Sequence, residues 1–402
     1  MYNSITTDFY EKDNLEIRKE NGIYITPYSI IKKCFENEDI SKYKDILEPS
    51  FGTGQFIDVM IELAKVKKIK TSISGVELYD ELFKLVKNKY NKQKNITLFN
   101  SDFLNWKNEK LYDLIVGNPP YFELTISKEQ KEEYKEIVSG RVNIYSLFIY
   151  KCINLLKPNG KLIFVIPTSL LSSKYFEKLR YYIHKSCIID DIIILGSKDF
   201  KDALQSTMIF KISKLSETNL TNLTNNNYVV KFSNTIIFSN EYLQINKEIK
   251  DKKFINDYAC DIKTGSIVWN QHKDKLSNNK KNSDYITLIY PRNLVDNKLV
   301  IKPDATKKQY IKIKNEPIKA PFIVINRIIG IKDISLKPVL VEETDNESYL
   351  FENHINVITG KLDDLKIIYN SLCKPETITF IKNIIGNTQL SKNELLYMIP
   401  VY

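Results

Sequence analysis

Four short apolar runs, at residues 46–47, 72–76, 96–99 and 114–116, are each stopped by a polar residue or a glycine: Glu48, Glu77, Asn100-Ser101-Asp102 and Gly117-Asn118. Apolar runs closed by such breakers read as buried strands, and helical patterns lie between them, which predicts an α/β fold with a mostly parallel sheet. In open sheets of this kind ligands bind at the carboxyl ends of the strands, so the repeat lines one edge with carboxylates. After the first run come Glu48-Pro49-Ser50-Phe51-Gly52-Thr53-Gly54, then a helical pattern through Phe56, Val59, Met60 and Leu63. The glycines let the backbone turn tightly and approach a ligand closely, while a carboxylate at Glu48 is not needed for folding. Glu77, about 20 residues past the glycines, stands where nucleotide-binding folds hold a ribose. One acid at a strand end is commonly a helix cap; three in series behind a glycine turn point to a ligand.

The fourth run ends in Asn118-Pro119-Pro120-Tyr121. Two prolines continue neither a central strand nor a helix interior, so the chain is rigid where the strand stops. An amide side chain, a carbonyl and an aromatic face are displayed together there. Upstream, Thr26 reads as a helix N-cap with Pro27 at the first helical position. Downstream, the pattern predicts a helix at 142–156, a fifth strand at 161–167, a helix at 175–184 and strands at 188–195 and 206–212. The loop 196–203 between the last two offers Phe200 to a ligand.

A polar, low-complexity tract at 214–227 reads as the boundary between a first domain, 1–213, and a second, 228–402. Beyond it short strands are expected at 228–232, 235–238, 285–290, 298–301, 322–326, 339–341 and 354–358, with helices only near the end, at 363–371, 376–385 and 392–398. This is a mixed, mostly β pattern. The loop 263–273 concentrates Trp269, Asn270, Gln271, His272 and Lys273, which suit phosphates and base edges. Arg292 and Arg327, the arginines of this half, are the candidates for reading guanine.

The chain carries a net charge of +10, which favours a polyanionic partner, although lysine dominates the basic residues. Five dispersed cysteines without a Cys-x-x-Cys pair argue against a disulfide framework and a zinc site, and with three histidines no metal is expected. No apolar run reaches the roughly 18 residues that span a bilayer, so a cytoplasmic protein without membrane contact is expected.

Together these residues resemble the gamma-class N6-adenine DNA methyltransferases of the TaqI type. The resemblance rests on Thr26-Pro27, the loop from Glu48 to Phe56, Glu77, Asp102-Phe103 and Asn118 to Tyr121, in that order, with the extra domain last. It implies a Rossmann-like catalytic domain with a seven-stranded, mostly parallel sheet, and a C-terminal target-recognition domain. It also implies that Thr26, Glu48, Pro49, Ser50, Gly52, Gly54, Glu77, Asp102, Phe103 and Asn118 bind S-adenosyl-L-methionine. Asn118 to Tyr121 would be catalytic, with Tyr121 and Phe200 holding a flipped adenine of double-stranded DNA. The residue at Ala203 is not the basic one that family can carry near that aromatic. The segments 269–272, 354–358 and 390–392 resemble its recognition domains loosely. A monomer is expected, with a separate cognate restriction endonuclease as partner if the enzyme serves a restriction–modification system rather than acting as an orphan. Glutamine N5 protein methyltransferases and some RNA guanine methyltransferases share the Asn-Pro-Pro-Tyr motif; the short segment before the glycine loop and the long C-terminal addition favour DNA. A decayed methyltransferase serving as a DNA-binding protein is disfavoured by the intact acids, glycines and Asn118.

Overall fold

The computed structural model describes residues 3–12, 24–138, 140, 142–196, 206–216, 227–280, 282, 284–301, 307–330, 334–343, 347–384 and 389–402. The chain divides into two compact units, residues 1–229 with 236–242, and residues 230–235 with 243–402.

The first unit is built on seven strands: β1 (Asp45–Glu48), β2 (Ser72–Glu77), β3 (Ile96–Asn100), β4 (Tyr112–Gly117), β5 (Leu156–Pro167), β6 (Cys187–Ile194) and β7 (Thr207–Lys214). They lie in the order β3-β2-β1-β4-β5-β7-β6. All pairs are parallel except those of β7, which runs antiparallel to β5 and β6. This is the α/β architecture expected from the alternation of apolar runs and helical patterns. The central strands read as unbroken apolar runs because both faces of the sheet are covered. Successive side chains serve opposite faces: Leu47, Ile115, Leu162 and Phe164 pack into one core, Ile46, Leu114, Val116 and Ile163 into the other. The helices of this unit include α1 (Ser4–Lys12), α2 (Tyr28–Cys34), α3 (Gln55–Lys67), α4 (Asp80–Lys89), α5 (Ile144–Leu155) and α6 (Glu177–Ser186). The strand order reverses between β1 and β4, which makes their carboxyl ends the crevice of the sheet.

Two local expectations need correction, and one helix was not foreseen. Thr26 is not a helix cap: Pro27 holds the N-cap position in extended conformation, and no side chain caps α2. The N–H groups of Ile30 and Ile31 bond the Pro27 carbonyl, the first bonds of the helix. The fifth strand begins before residue 161: β5 runs from Leu156 through 157–160, with Asn159 at φ 61° absorbing the bend. Helix α1 had no sequence signal, since its nine residues carry little apolar pattern.

The second unit holds a four-stranded sheet, with Cys260–Thr264, Ile355–Gly360, Phe322–Asn326 and Val339–Val341 side by side, and a five-stranded sheet centred on Ile286–Ile289. Helices Leu362–Leu372, Pro375–Ile384 and Lys392–Tyr397 follow near the end, as expected, but Tyr242–Ile249 is also helical. Among the described residues no helix is long and apolar enough to cross a membrane.

Candidate functional site

The loop after β1 is shaped by its two glycines. Gly52 and Gly54 have φ of 50° and 76°, in the left-handed region that disfavours side chains. A Cβ on Gly54 would also press within 3.1 Å of Val86. The loop folds back on β2, where Gly52 N–H donates to Glu77 Oε2 (2.8 Å) and Tyr79 N–H to Glu77 Oε1 (2.8 Å). Each carboxylate oxygen has two acceptor sites, so Glu77 keeps acceptor capacity beyond its backbone bonds.

Glu48 ends β1 beside the end of β4 and is 2% exposed. Its Oε2 is buried without a hydrogen-bond partner among the described residues. Burial, then the charges of Glu77 and Asp58, push its carboxyl well above the usual glutamate range. Burial does the same to Glu77, against backbone N–H groups that pull it down. A buried acid with one oxygen left unsatisfied, next to a second acid, suits a cation with N–H groups to give.

These groups share one cavity of about 210 Å³. Thr26, Glu48, Pro49, Ser50, Gly52, Glu77, Asp102, Phe103, Asn118 and Pro120 all line it. Gly54 does not; it starts α3 behind the loop. Other residues add to the wall, among them Tyr24, Gln55, Leu78, Leu82, Phe122, Ile144 and Phe148. Most are apolar side chains that any helix or strand could bury, so only the contact order of the fold identifies them. Asp102 accepts from Leu104 N–H (2.9 Å) and Asn105 Nδ2 (2.6 Å), which turns the chain after β3. Phe103 packs on Phe148 with ring centres 4.8 Å apart. The Lys151 ammonium ties this turn down by donating to the carbonyls of Phe103, Leu104 and Trp106 at 2.6–2.9 Å.

At the end of β4 the Asn118 amide is oriented from both sides. Its Nδ2 donates to the Tyr24 carbonyl (2.9 Å), which fixes Oδ1 as the acceptor end of the amide. The Tyr121 hydroxyl faces two acceptors, Asn118 Oδ1 and the Val165 carbonyl. Tyr121 is 8% exposed and stacks on Tyr24, ring centres 5.8 Å apart and 18° from parallel. Pro119 is buried. On the other side of Tyr121 and Phe122 lies a second cavity of about 400 Å³, walled also by Val142, Asn143, Ser169, Ser173, Tyr175 and Phe176. Phe200 and the rest of 197–205 lie outside the described residues.

In the second unit, residues Trp269–Lys275 form a short 3-10 segment kinked at His272, with Asn270, Gln271 and Lys273 exposed. Lys273 and Lys307 place their ammonium groups 6.0 and 5.5 Å from the Trp269 ring centre. Lys307 also lies 5.3 Å from Tyr290, which carries the Arg292 guanidinium at 5.4 Å. Trp269, Lys273 and Arg292 are thus one cluster of cations on aromatic faces. Arg327 instead braces the backbone, donating to the Asn353 carbonyl (3.3 Å). Among the described residues no group of three His, Cys, Asp or Glu is arranged to hold a metal.

Residues 55–200 match the Eco57I restriction-modification methylase family. Modification methylase CviBIII of Paramecium bursaria Chlorella virus NC1A is 28% identical over all of this chain and 99% of its own length. Type II methyltransferase M.CvrRI of Paramecium bursaria Chlorella virus XZ-6E is 24% identical over the same shares. The similarity is to modification methylases, and it is end to end. Type II methyltransferase M.AccI of Acinetobacter calcoaceticus is 31% identical, over 52% of this chain and 39% of its own.

Proposed function

We propose that the chain is a DNA methyltransferase that moves a methyl group from S-adenosylmethionine to the N6 amino group of an adenine swung out of the duplex. The observation that carries this reading is the continuous cavity running from Glu48 and Glu77 to Asn118. Its donor set suits that cofactor: Glu48 Oε2 lacks a donor, as an ammonium would supply, and Glu77 has acceptor capacity left for ribose hydroxyls. Asp102, Phe103 and Leu78 would bound the purine. When bound, the cofactor supplies an electrophilic methyl on a sulfonium.

The protein's part is positioning and polarisation. An adenine N6 lone pair is delocalised into the ring and attacks poorly. Asn118 Oδ1 and the Pro119 carbonyl, both acceptors, would take its two hydrogens and favour a more tetrahedral nitrogen with its lone pair directed at the methyl. Tyr24 keeps the amide in the required orientation, and Tyr121 holds its oxygen from behind. Proline at 119 stiffens the backbone and has no N–H to compete. The cavity beyond Tyr121 and Phe122 is the proposed base pocket. Adenine must leave the duplex because its N6 cannot reach a donor inside the stack. The second unit is proposed as the target-recognition domain, with the cluster of Trp269, Lys273, Tyr290, Arg292 and Lys307 on phosphates. Modification within a restriction–modification system is the cellular setting that the relatives suggest.

The test is transfer of tritiated methyl from S-adenosylmethionine to duplex DNA, RNA and a glutamine-bearing protein in parallel. Label on N6 of adenine is expected; label on protein or guanine instead overturns the reading. Asn118→Ala is expected to reduce transfer by about 10²–10³-fold, the scale of losing one preorganised polar contact, while cofactor still binds. Transfer near the wild-type rate would remove Asn118 from the reaction.

A further inference from the structure

Helix α1 touches the cofactor cavity only from outside, yet it is bolted to three of its walls. Asn3 N–H donates to Gln55 Oε1 (3.0 Å), and Asn3 Nδ2 donates to the Thr53 carbonyl (2.9 Å) and to Asp58 Oδ2 (3.0 Å). Thr6, fully buried, has its hydroxyl 2.7 Å from Thr53 Oγ1 and donates to Asn3 Oδ1 at 2.7 Å. Gln55 passes the chain on to the Thr26 carbonyl. One turn further, Phe9 (4% exposed) packs with Ile25 and Leu82, and meets the Tyr79 ring edge-on at 6.4 Å. Thr53, Gln55, Ile25, Thr26 and Leu82 line the cavity, while no residue of α1 does.

From this we infer that α1 is a clasp for the cofactor site, with Asn3 and Thr6 as positioning residues that hold the glycine loop in its binding conformation. The inference rests on the methyltransferase reading above. Its physical basis is preorganisation. A loop containing Gly52 and Gly54 in left-handed conformations is entropically expensive to order, and ordering it before the ligand arrives removes that cost from binding. Asp58 shows how firmly the clasp is anchored. Burial opposes its charge, but hydrogen bonds from Lys89, Tyr90, Asn3 and Tyr28 outweigh burial and hold the carboxyl below the usual range. The clasp acts on the cofactor walls and not on Asn118, so it should alter cofactor affinity and leave the chemical step alone.

The experiment uses the full chain with Thr6→Val, Thr6→Ser and Asn3→Ala. Thr6→Val keeps the shape and removes the hydroxyl. It is expected to raise the KM and the calorimetric Kd for S-adenosylmethionine about tenfold, the scale of one buried hydrogen bond lost, with kcat at saturating cofactor and the KM for DNA within about twofold. Thr6→Ser should stay within about twofold of wild type, and Asn3→Ala should behave as Thr6→Val. Hydrogen exchange at 51–55 without cofactor should quicken in Thr6→Val and Asn3→Ala. Unchanged cofactor affinity in both variants overturns the inference, as does a joint fall in kcat and in DNA affinity. Thr6→Ser failing as badly as Thr6→Val also overturns it. If wild type binds no S-adenosylmethionine at all, the methyltransferase reading fails, and the exchange rates still report whether α1 clasps the loop.

Discussion

Glu48 is the residue whose environment most constrains the chemistry. A carboxyl that burial and two neighbouring acids push well above the usual glutamate range is costly to ionise in the free protein. The sign of its pH effects follows. With its folded value raised, Glu48 contributes stability that is complete at low pH and is lost as pH rises through that value. A cationic ligand reverses the preference, because it favours the carboxylate, so binding releases a proton. Affinity for S-adenosylmethionine is therefore expected to climb with pH, by up to about tenfold per unit per proton released, and to level off above the raised value. Glu77, also raised, adds to the same trend. Calorimetry in two buffers of different ionisation enthalpy should show proton release in wild type and less of it in Glu48→Gln. Equal, pH-independent affinity in both would contradict the role. Glu48 was legible in the sequence because nothing about a strand end demands an acid there. That its Oε2 is left without a partner was not, since that depends on residues from β2 and α3 closing around it.

Elements were legible to the extent that their signal is local. The central strands β1, β4 and the 162–166 part of β5 are apolar runs buried on both faces of the sheet, so their pattern survives any detail of packing. Helix α1 is the opposite case. Asn3 and Thr6 are polar, and their partners Thr53, Gln55 and Asp58 lie some 50 residues away, beyond the reach of any periodicity. The turn after β3 is similar, since it is fixed from α5 by Lys151, a residue that looks like one more surface lysine. Burial pushes the Lys151 ammonium down, so its three carbonyl bonds mainly offset the loss of water. Removing it leaves those carbonyls short of a donor. Lys151→Met is expected to lower the melting temperature by about 4–8 °C, from roughly 2 kcal/mol of lost satisfaction. The same variant should raise the KM for S-adenosylmethionine several-fold, because Asp102 and Phe103 sit on the freed turn. Unchanged melting and KM would show that the turn holds itself.

At the scale of the whole molecule the polypeptide does not pass once from one unit to the other. It enters the second unit at residue 230, returns to the first for 236–242, and leaves again at 243. The returning stretch is structural for the first unit. Arg180, 1% exposed, donates through Nε to the Ile236 carbonyl (2.7 Å) while its Nη1 holds the carbonyls of Leu170 and Ser173. Ile236 and Phe238 are almost fully buried, and Phe238 stacks on Phe210 of β7 at 6.1 Å. A fragment ending at residue 227, where the polar tract ends in sequence, would expose the sites of both apolar side chains and leave a buried guanidinium short of an acceptor. At about 1.5–3 kcal/mol for each side chain and 1–3 for the N–H, the loss approaches the 5–15 kcal/mol that holds a typical domain folded. A fragment ending at 242 keeps all of these contacts. It is expected to unfold cooperatively and to bind S-adenosylmethionine, while the shorter one melts more than about 10 °C lower or does not fold. Coincident melting curves for the two fragments would mean that 236–242 adds nothing to the first unit, and that the polar tract alone is its edge.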